Sequence, residues 1–347
     1  MANYADSVWG TAQHILNEQM TRPEFKRKPS AALSAFLQNT QFTVPAWYTD
    51  RDGFAIKASD QQVVDVSLLT KQATSAASAR AHNHTGNIND SKKATVTFTT
   101  YATKFKYSIK QGDRNIFSLA EMVAAQMRSA AIDLHSTIET ALIAVLNAGK
   151  SQVVTSATPF GGTWDGTNHI FGVSNADEKL AFERLRGFMR QQYYTGNIFF
   201  VHSEAFQQMA NYLIQQGQGN AENLFWQFEG LTGFNSQEIA TAGYTGSGYM
   251  FEEGTTGILP WIPKLNRDGF GTAFQVGGGY SSIPDPLGSG LTFAVHQRAA
   301  GADNSAAAGE TQDVDINVEL SIDLGPVIAP MSTSNASPAF KTGILSA

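Results

Sequence analysis

The feature that most constrains the fold of this 347-residue chain is one long apolar segment, residues 118–149. Apolar residues recur there every three or four positions, which predicts a single helix with a continuous apolar stripe. Ser118 and Glu121 have the spacing of a capping box at its start, and Gly149 predicts a left-handed end. The charged side chains of the segment are Glu121, Arg128, Asp133 and Glu139.

A helix of this length needs a cover. At 1.5 Å per residue it is about 45 Å long, and so few charges leave it without a wide polar face. A membrane-spanning role fits poorly, because the charges are spread along the helix. The chain around it looks too irregular to bury this helix alone.

Composition favours a protein whose surfaces meet other proteins. Charged residues make up 16% of the chain, below the usual quarter, and the formal net charge is −6. An acidic chain without a basic domain argues against tight binding of nucleic acid through phosphates. Cysteine is absent, which excludes disulfides, thiolate metal sites and cysteine nucleophiles. The first residues, MANYADSVWG, do not have the pattern of a signal peptide.

Residues 1–48 are predicted to form a loose N-terminal arm. Pro23, Pro29 and Pro45 are spaced so that they should interrupt any long element. A basic cluster in this arm is interpreted as a solvated or subunit-bridging segment rather than a nucleic-acid contact. The cluster consists of Arg22, Lys26, Arg27 and Lys28.

Two β-rich stretches follow, and they predict an extended ribbon. Val64, Val66 and Leu68 alternate with polar residues, and residues 94–110 are dense in threonine and aromatic residues, with a bend near Thr99. The residues between the two stretches are small and polar, and a compact domain rarely keeps so long a structureless loop. We therefore expect a β-ribbon that reaches away from its domain and lies on a neighbouring chain.

The second half reads as mixed α and β structure. A helix is predicted from Ser174 to about Met189, a buried strand over residues 197–201, and a helix that Ser203 caps and Gly217 ends. Residues 272–276 resemble a strand fragment. Near the end, residues 313–324 alternate strictly and predict the clearest strand of the chain, with an apolar face formed by Val314, Ile316, Val318, Leu320 and Ile322.

Each candidate chemical motif in the sequence lacks a residue that its chemistry requires. The stretch DVDIN resembles the start of a calcium loop, but Val318 stands where glycine is needed and Leu324 where the bidentate glutamate should be. His82 and His84 could bind a metal ion together, yet no third ligand is near them in sequence. No catalytic constellation remains, so we expect no enzyme activity and no cofactor.

The order of these parts resembles the major capsid protein of tailed bacteriophages, the Hong Kong 97-type coat fold. The likeness is carried by residues 104–149, where a strand leads into the long helix, and by residues 176–213, where a helix, a strand and another helix follow each other. It implies an α+β fold with an N-terminal arm, an extended β-hairpin called the E-loop, a spine helix in a peripheral domain, and an axial domain. It also implies that the spine helix is covered by its own sheet on one side and by neighbouring subunits elsewhere.

The resemblance also implies a division of the chain. The arm is expected at 1–48, the E-loop ribbon at 49–110, and the peripheral domain at 111–170 with the spine helix at 118–148. The axial domain is expected at 171–290, and residues 291–347 return to the peripheral domain and form a C-terminal tail. Some relatives carry an N-terminal scaffolding segment, for which this layout leaves no room.

In function, the resemblance implies a shell subunit that assembles with itself into pentamers and hexamers around double-stranded DNA, without sequence-specific contact. It further implies portal, scaffolding or decoration proteins as partners, no membrane, and a place in the virion after assembly in the host bacterial cytoplasm. Inter-subunit contacts are expected from the basic cluster of the arm and from ribbon residues Lys71, Arg80, Lys92 and Lys93. The lysines have no identifiable asparagine and glutamate partners for covalent crosslinking.

Two alternatives stay open at this point. One is an encapsulin-like shell, although such chains usually begin with a cargo-docking helix and this arm is interrupted by prolines. The other is a monomeric, β-rich surface- or carbohydrate-binding protein. That alternative is suggested by the aromatic residues Trp164, Trp226, Tyr244, Tyr249 and Trp261, for which packing in a core or interface is the favoured role.

Overall fold

The structure is a computed structural model, and it describes residues 2–21, 30–43, 63–69, 91–108, 117–154, 162–174, 180–216, 225–228, 230–240, 243–302, 313–329 and 337–345. The helices within these residues are α1 (Ala2–Thr21), α2 (Ala31–Thr43), α3 (Leu119–Gly149), α4 (Ala181–Gln191), α5 (Glu204–Gln216) and α6 (Lys264–Asp268). The strands are β1 (Val63–Leu69), β2 (Ser91–Thr97), β3 (Thr99–Ser108), β4 (Thr163–Asp165), β5 (Ile170–Val173), β6 (Ile198–His202), β7 (Phe225–Phe228), β8 (Leu231–Asn235), β9 (Tyr244–Glu252), β10 (Thr256–Trp261), β11 (Gly279–Pro284), β12 (Thr292–Ala302), β13 (Asp313–Ile328) and β14 (Phe340–Leu345).

Helix α3 begins where the sequence predicts. Ser118 is its N-cap, and the capping box is formed: the Ser118 N–H donates to the Glu121 carboxylate at 2.8 Å, and the Glu121 N–H donates to Ser118 Oγ at 3.3 Å. The Ser118 hydroxyl also donates to the Glu121 carboxylate at 2.9 Å, and the N–H and hydroxyl of Ser118 together stabilise its ionised form, so the pKa of the Glu121 carboxyl is lowered. The capping box thus fixes the start of the spine helix.

The predicted left-handed end of α3 at Gly149 is wrong. Gly149 is the last helical residue and does not have a positive φ, and Lys150 is the C-cap. A Cβ at Gly149 would lie 2.6 Å from Ile328 Cδ1. The glycine is therefore explained by the close approach of α3 to β13, which the local sequence cannot show.

A five-stranded sheet lies against the spine helix. Its order is β11, β12, β13, β3; β10 pairs with the later part of β13 on the same edge as β12, and all pairs are antiparallel. The predicted alternation in β13 is confirmed, because Ile316, Val318, Leu320 and Ile322 are buried in the core that also contains α3. Asp323, on the polar side, is nevertheless only 9% exposed.

A second sheet of seven strands has the order β4, β5, β14, β9, β6, β8, β7. Its pairs are antiparallel except β5 with β14 and β6 with β8, which are parallel. The two faces of β9 enter different cores: Phe251 packs with Phe36 of α2 at a ring distance of 6.1 Å, whereas Met250 joins the core of α4 and α5. This sheet therefore separates the α2–α3 layer from the α4–α5 layer.

The prediction of a loose N-terminal arm is wrong where the arm is described. Helix α1 spans 20 residues, and both α1 and α2 pack on α3. Val8, Trp9 and Leu16 belong to the same buried core as α3. Pro23 and Pro29 lie in the sequence between the two helices, so they do not prevent a helix on either side.

The sides of the spine helix are covered by other parts of the same chain. Its own sheet covers one side, as predicted, but its own N-terminal helices cover another, where neighbouring chains were expected. Of the described helices, α3 is the one long and apolar enough by composition to cross a membrane, and half of its most apolar window is buried inside the protein. A helix packed within a folded core has the same composition.

The predicted ribbon is present in part. Strands β1 and β2 pair antiparallel from Val63 opposite Thr97 to Leu69 opposite Ser91. The predicted bend near Thr99 is confirmed as a break at Phe98, between β2 and β3. The predicted tip of the ribbon lies outside the described residues.

In the second half, strand β6 and helix α5 lie where the sequence predicts them. Helix α4 does not, because it begins at Ala181 with Leu180 as its N-cap, and Ser174 itself is not helical. Residues 272–276 form a turn rather than a strand. The Gln275 N–H donates to the Thr272 carbonyl at 3.0 Å, and the flanking Gly271 and Gly277 have positive φ values that interrupt an extended chain.

Candidate assembly surfaces

The outward side of α3 is a narrow stripe of small residues. Ser129, Thr137 and Thr140 on this stripe donate their hydroxyls to the carbonyls four residues earlier, at 3.1, 2.9 and 3.0 Å. The exposed positions are Glu121, Ala125, Ser129, Asp133, Ser136, Thr137, Thr140, Ala144, Asn147 and Ala148. The spine helix therefore has few charges because alanine, serine and threonine occupy most of its exposed face.

Glu139 of α3 is a buried docking point for α2. Its Oε1 accepts the Ala32 N–H at 2.9 Å, and its Oε2 accepts the Ala32 N–H at 3.0 Å and the Leu33 N–H at 3.3 Å. These are N–H groups that the start of a helix leaves without partners, so the carboxylate caps α2 from another helix. Burial raises the pKa of the Glu139 carboxyl, although the N–H donors oppose that shift.

A second buried contact lies one turn away on α3. His135 Nε2 and Asp285 Oδ2 are 2.8 Å apart, with both side chains almost fully buried. Burial disfavours the charged carboxylate of Asp285, but its hydrogen bonds with His135 and Ser289 prevail, so the pKa of this carboxyl is lowered. The pair joins the spine helix to the turn that follows β11.

Ser30, His135 and Asp285 lie in the order of a hydrolase triad, but the arrangement is unsuited to that chemistry. Ser30 Oγ is 3.4 Å from His135 Nδ1 and also donates to the His135 carbonyl at 3.3 Å. The N–H groups of Ala32 and Leu33, which could stabilise an oxyanion, are occupied by Glu139. The cluster therefore fastens α2 to the spine. The described part of the chain contains no group of three acidic or histidine side chains that could hold a metal.

The predicted contact residues lie mostly outside the described part of the chain. Lys92 and Lys93 are on β2, at the register positions opposite Leu68 and Ser67 of β1. The other predicted contact residues lie outside the described ranges, and so do His82 and His84. These contact residues are Arg22, Lys26, Arg27, Lys28, Lys71 and Arg80.

Two of the aromatic residues that suggested a ligand surface, Trp164 and Tyr249, serve packing. Trp164 stacks on Phe188 with ring centroids 6.3 Å apart. Tyr249 is 3% exposed, and its hydroxyl donates to Asn147 Oδ1 of the spine helix at 3.1 Å. Burial raises the pKa of the Tyr249 hydroxyl to about 12. These contacts disfavour the alternative of an aromatic carbohydrate-binding face.

Sequence reasoning missed the roles of Glu139, His135 and Asp285. A usable signal existed for Glu139, because it follows Ile138 on the apolar stripe of α3, where an acidic residue needs a buried partner. No comparable signal marked Asp285, whose partner is 150 positions away. Likewise, nothing local shows that His202 in β6 is buried.

Comparisons with known proteins support the fold and do not supply a sequence family. No protein-family model and no curated protein matches the sequence. Among solved structures, one from Mycobacterium phage Che8 matches with a TM-score of 0.51 at 8% identity, over 91% of this chain and 92% of that one. Another, from Mycobacterium phage Bobi, has a TM-score of 0.48 at 9% identity over 92% of both chains. A third, described as the capsid structure of the cyanophage P-SCSP1u, has a TM-score of 0.46 at 11% identity over 83% of this chain and 84% of that one.

The Che8 match covers nearly the whole of both chains, so the two share a fold. It confirms the predicted α+β fold class, in an arrangement shared with this phage structure. At so low an identity the likeness concerns the fold alone.

Proposed function

We propose that this chain is a major capsid protein, the structural subunit of the icosahedral or prolate head shell of a tailed bacteriophage. The observation that carries the proposal is the fold shared with the Mycobacterium phage Che8 structure over 91% of the chain. The long spine helix beside a five-stranded sheet and the two-stranded ribbon support it further. The subunit assembles with itself into pentamers and hexamers.

The inter-subunit contacts follow from this role. The ribbon β1–β2 acts as the E-loop and lies across an adjacent subunit, with Lys71, Arg80, Lys92 and Lys93 at the contact. The basic cluster of Arg22, Lys26, Arg27 and Lys28 lies between α1 and α2 in sequence and forms a second contact. The domain boundaries given above belong to the same proposal, with the arm now understood as two helices on the spine.

The other partners follow from the same role. The shell encloses double-stranded DNA without sequence-specific contact, and the net charge of −6 keeps the wall from gripping the phosphates. Portal, scaffolding or decoration proteins complete the head, which is assembled in the bacterial cytoplasm and is part of the virion. The subunit is structural and carries no catalytic activity.

Negative-stain microscopy of the purified protein tests the proposal. Expression of the chain, alone or with a scaffolding protein from the same genome, should give closed shells of uniform diameter. A stable monomer of 37.4 kDa by size-exclusion chromatography that never assembles, even with scaffold present, would contradict it.

A second candidate is an encapsulin-like shell that encloses cargo enzymes. Helix α1 favours it, because a helix at the start of the chain is the feature expected of such proteins. The contents of purified particles separate the two functions. Nuclease-protected DNA in particles from infected cells supports the capsid protein, whereas a stoichiometric cargo protein without nucleic acid supports the nanocompartment.

A further inference from the structure

The segment between β10 and β11 exposes apolar side chains on a compact loop. We call residues 264–278, which comprise α6 and the turns after it, the knob. Leu265, Phe270 and Val276 of the knob are 49%, 62% and 109% exposed. A cluster of large exposed apolar residues on a folded chain is typical of a protein contact.

The knob is held in one conformation by backbone hydrogen bonds. Phe270 and Tyr280 exchange N–H···O bonds of 2.9 and 2.7 Å, and the Ala299 N–H donates to the Ala273 carbonyl at 2.7 Å. Gly278 has a φ of 86°, and a Cβ there would lie 2.4 Å from the Gln297 carbonyl oxygen. The apolar tip is thus preformed, which lowers the entropy lost when it binds a partner.

A groove of about 280 Å³ lies between β3 and the outward face of α3. Its walls include Phe105, Ala125 and Ser129. Gln126 also lines it, and the buried Oε1 of this residue has no hydrogen-bond partner among the described residues. A buried acceptor without a donor costs free energy, so the groove is incomplete in the single chain.

The charges around the knob and the groove are complementary. The rim of the knob carries Lys264, Arg267 and Asp268, so its net charge is positive, whereas residues 269–279 at its tip contain no charged side chain. The groove is lined by Lys104 and Asp133. Lys104 is paired with Glu319 at 3.1 Å, whereas Asp133 forms no ion pair within the described ranges. An apolar tip with a net positive rim fits a groove of small residues with an unpaired carboxylate at its edge.

The knob and the groove lie at opposite edges of one sheet. The strand order β11, β12, β13, β3 places the knob beside the first strand and the groove beside the last. A contact between two different surfaces of identical chains is head-to-tail, and it closes into a ring when the rotation allows. We propose that the knob of one copy docks into the β3–α3 groove of a second copy. This inference rests on the proposed function and names a contact between neighbouring subunits within a ring.

Engineered thiols test this contact directly, since the natural chain has no cysteine. The double variant Val276→Cys with Ser129→Cys is assembled and treated with a short thiol-to-thiol crosslinker. We expect a ladder of covalent dimers, trimers and higher rings on a denaturing gel. Each single variant should stay monomeric on that gel. In the matched control, Thr137→Cys replaces Ser129→Cys, because Thr137 is exposed on α3 but does not line the groove; it should give no ladder.

A second experiment places a charge on the knob and measures the yield of assembled particles. Val276→Asp should reduce the yield of assembled particles at least tenfold and leave the thermal unfolding of the isolated chain unchanged, because the side chain is fully exposed. Val153→Asp, at a valine that is 48% exposed outside the knob, should assemble like the natural chain. Covalent dimers from Val276→Cys alone would overturn the proposal in favour of a knob-to-knob contact. Particles that form from the double variant without crosslinks would also overturn it. Failure of the natural chain to assemble would instead count against the proposed function.

Discussion

Glu139 shows how one residue can fix the position of a whole segment. Its carboxylate accepts hydrogen bonds from the N–H groups of Ala32 and Leu33, which have no other acceptor among the described residues. Glu139→Ala should leave these donors buried without partners and lower the free energy of unfolding by about 1–3 kcal/mol. Urea denaturation measures the loss, and hydrogen exchange should show that it is concentrated in α2.

The control for this substitution is Glu183→Ala, at an exposed position of α4. Its stability should stay within about 0.5 kcal/mol of the natural chain. If both variants lost the same amount, the cap on α2 would contribute nothing of its own.

His202 predicts a specific pH dependence of stability. It is fully buried in β6, its Nδ1 donates to the Ser203 carbonyl at 2.9 Å, and burial lowers its pKa from 6.5 to about 4. The unfolded chain therefore binds a proton at a higher pH than the folded chain does. Stability from this residue is complete above about pH 6.5 and is lost as the pH falls towards 4.

Urea titrations at pH 7 and pH 5 measure this effect. The contribution of His202 should make the natural chain about 2 kcal/mol less stable at pH 5 than at pH 7. In His202→Gln the drop should shrink by that amount, while His14→Gln, at an exposed position of α1, should keep it. An unchanged drop in His202→Gln would show that other groups cause the pH dependence.

At the scale of elements, the sequence correctly predicted the helices and strands whose positions depend on residues close in sequence. The capping box at Ser118 and the alternation of β13 involve residues close in sequence, and both are confirmed. Helix α5 lies where it was predicted, but Ser203 Oγ accepts the N–H of Ser247 at 3.1 Å. The predicted start of α4 at Ser174 was wrong. No side chain caps this helix, so its first residue depends on packing rather than on a sequence signal.

The ribbon is the element on which assembly depends most in the proposed function. Replacing residues 73–90 by a short Asn-Gly turn should leave a folded core, since strands β1 and β2 pair outside that segment. The variant should keep the unfolding transition of the natural chain by circular dichroism yet form no closed shells by microscopy. Normal shells from this variant would refute the E-loop assignment.

At the scale of the whole molecule, the arrangement of α1 and α2 on α3 was beyond prediction from sequence. The apolar residues of α1 and those of the spine helix are separated by about a hundred residues, and no local pattern states that they meet. The same holds for Glu139 and the start of α2, which are 107 positions apart. Sequence reasoning identified a helix in need of a cover but assigned part of that cover to other chains.

Removal of the N-terminal helices tests how far the single chain stabilises itself. A chain that starts at residue 44 lacks α1 and α2 and should expose the apolar face of α3, including Val123 and Met127. We expect it to bind a hydrophobic dye and to aggregate on size-exclusion chromatography. The ribbon-tip deletion is the control, because it removes residues without uncovering the spine. Cooperative unfolding of the truncated chain at unchanged stability would contradict this view.

Strand β14 has a consequence for the time at which the protein matures during synthesis. It lies between β5 and β9, and among the described strands it is the one that joins them, through residues 340–345. A ribosome that has made everything up to β13 therefore still holds a chain whose larger sheet is in two parts. Because long-range pairing is slow, this sheet should be completed late, after residues 340–345 have left the ribosome.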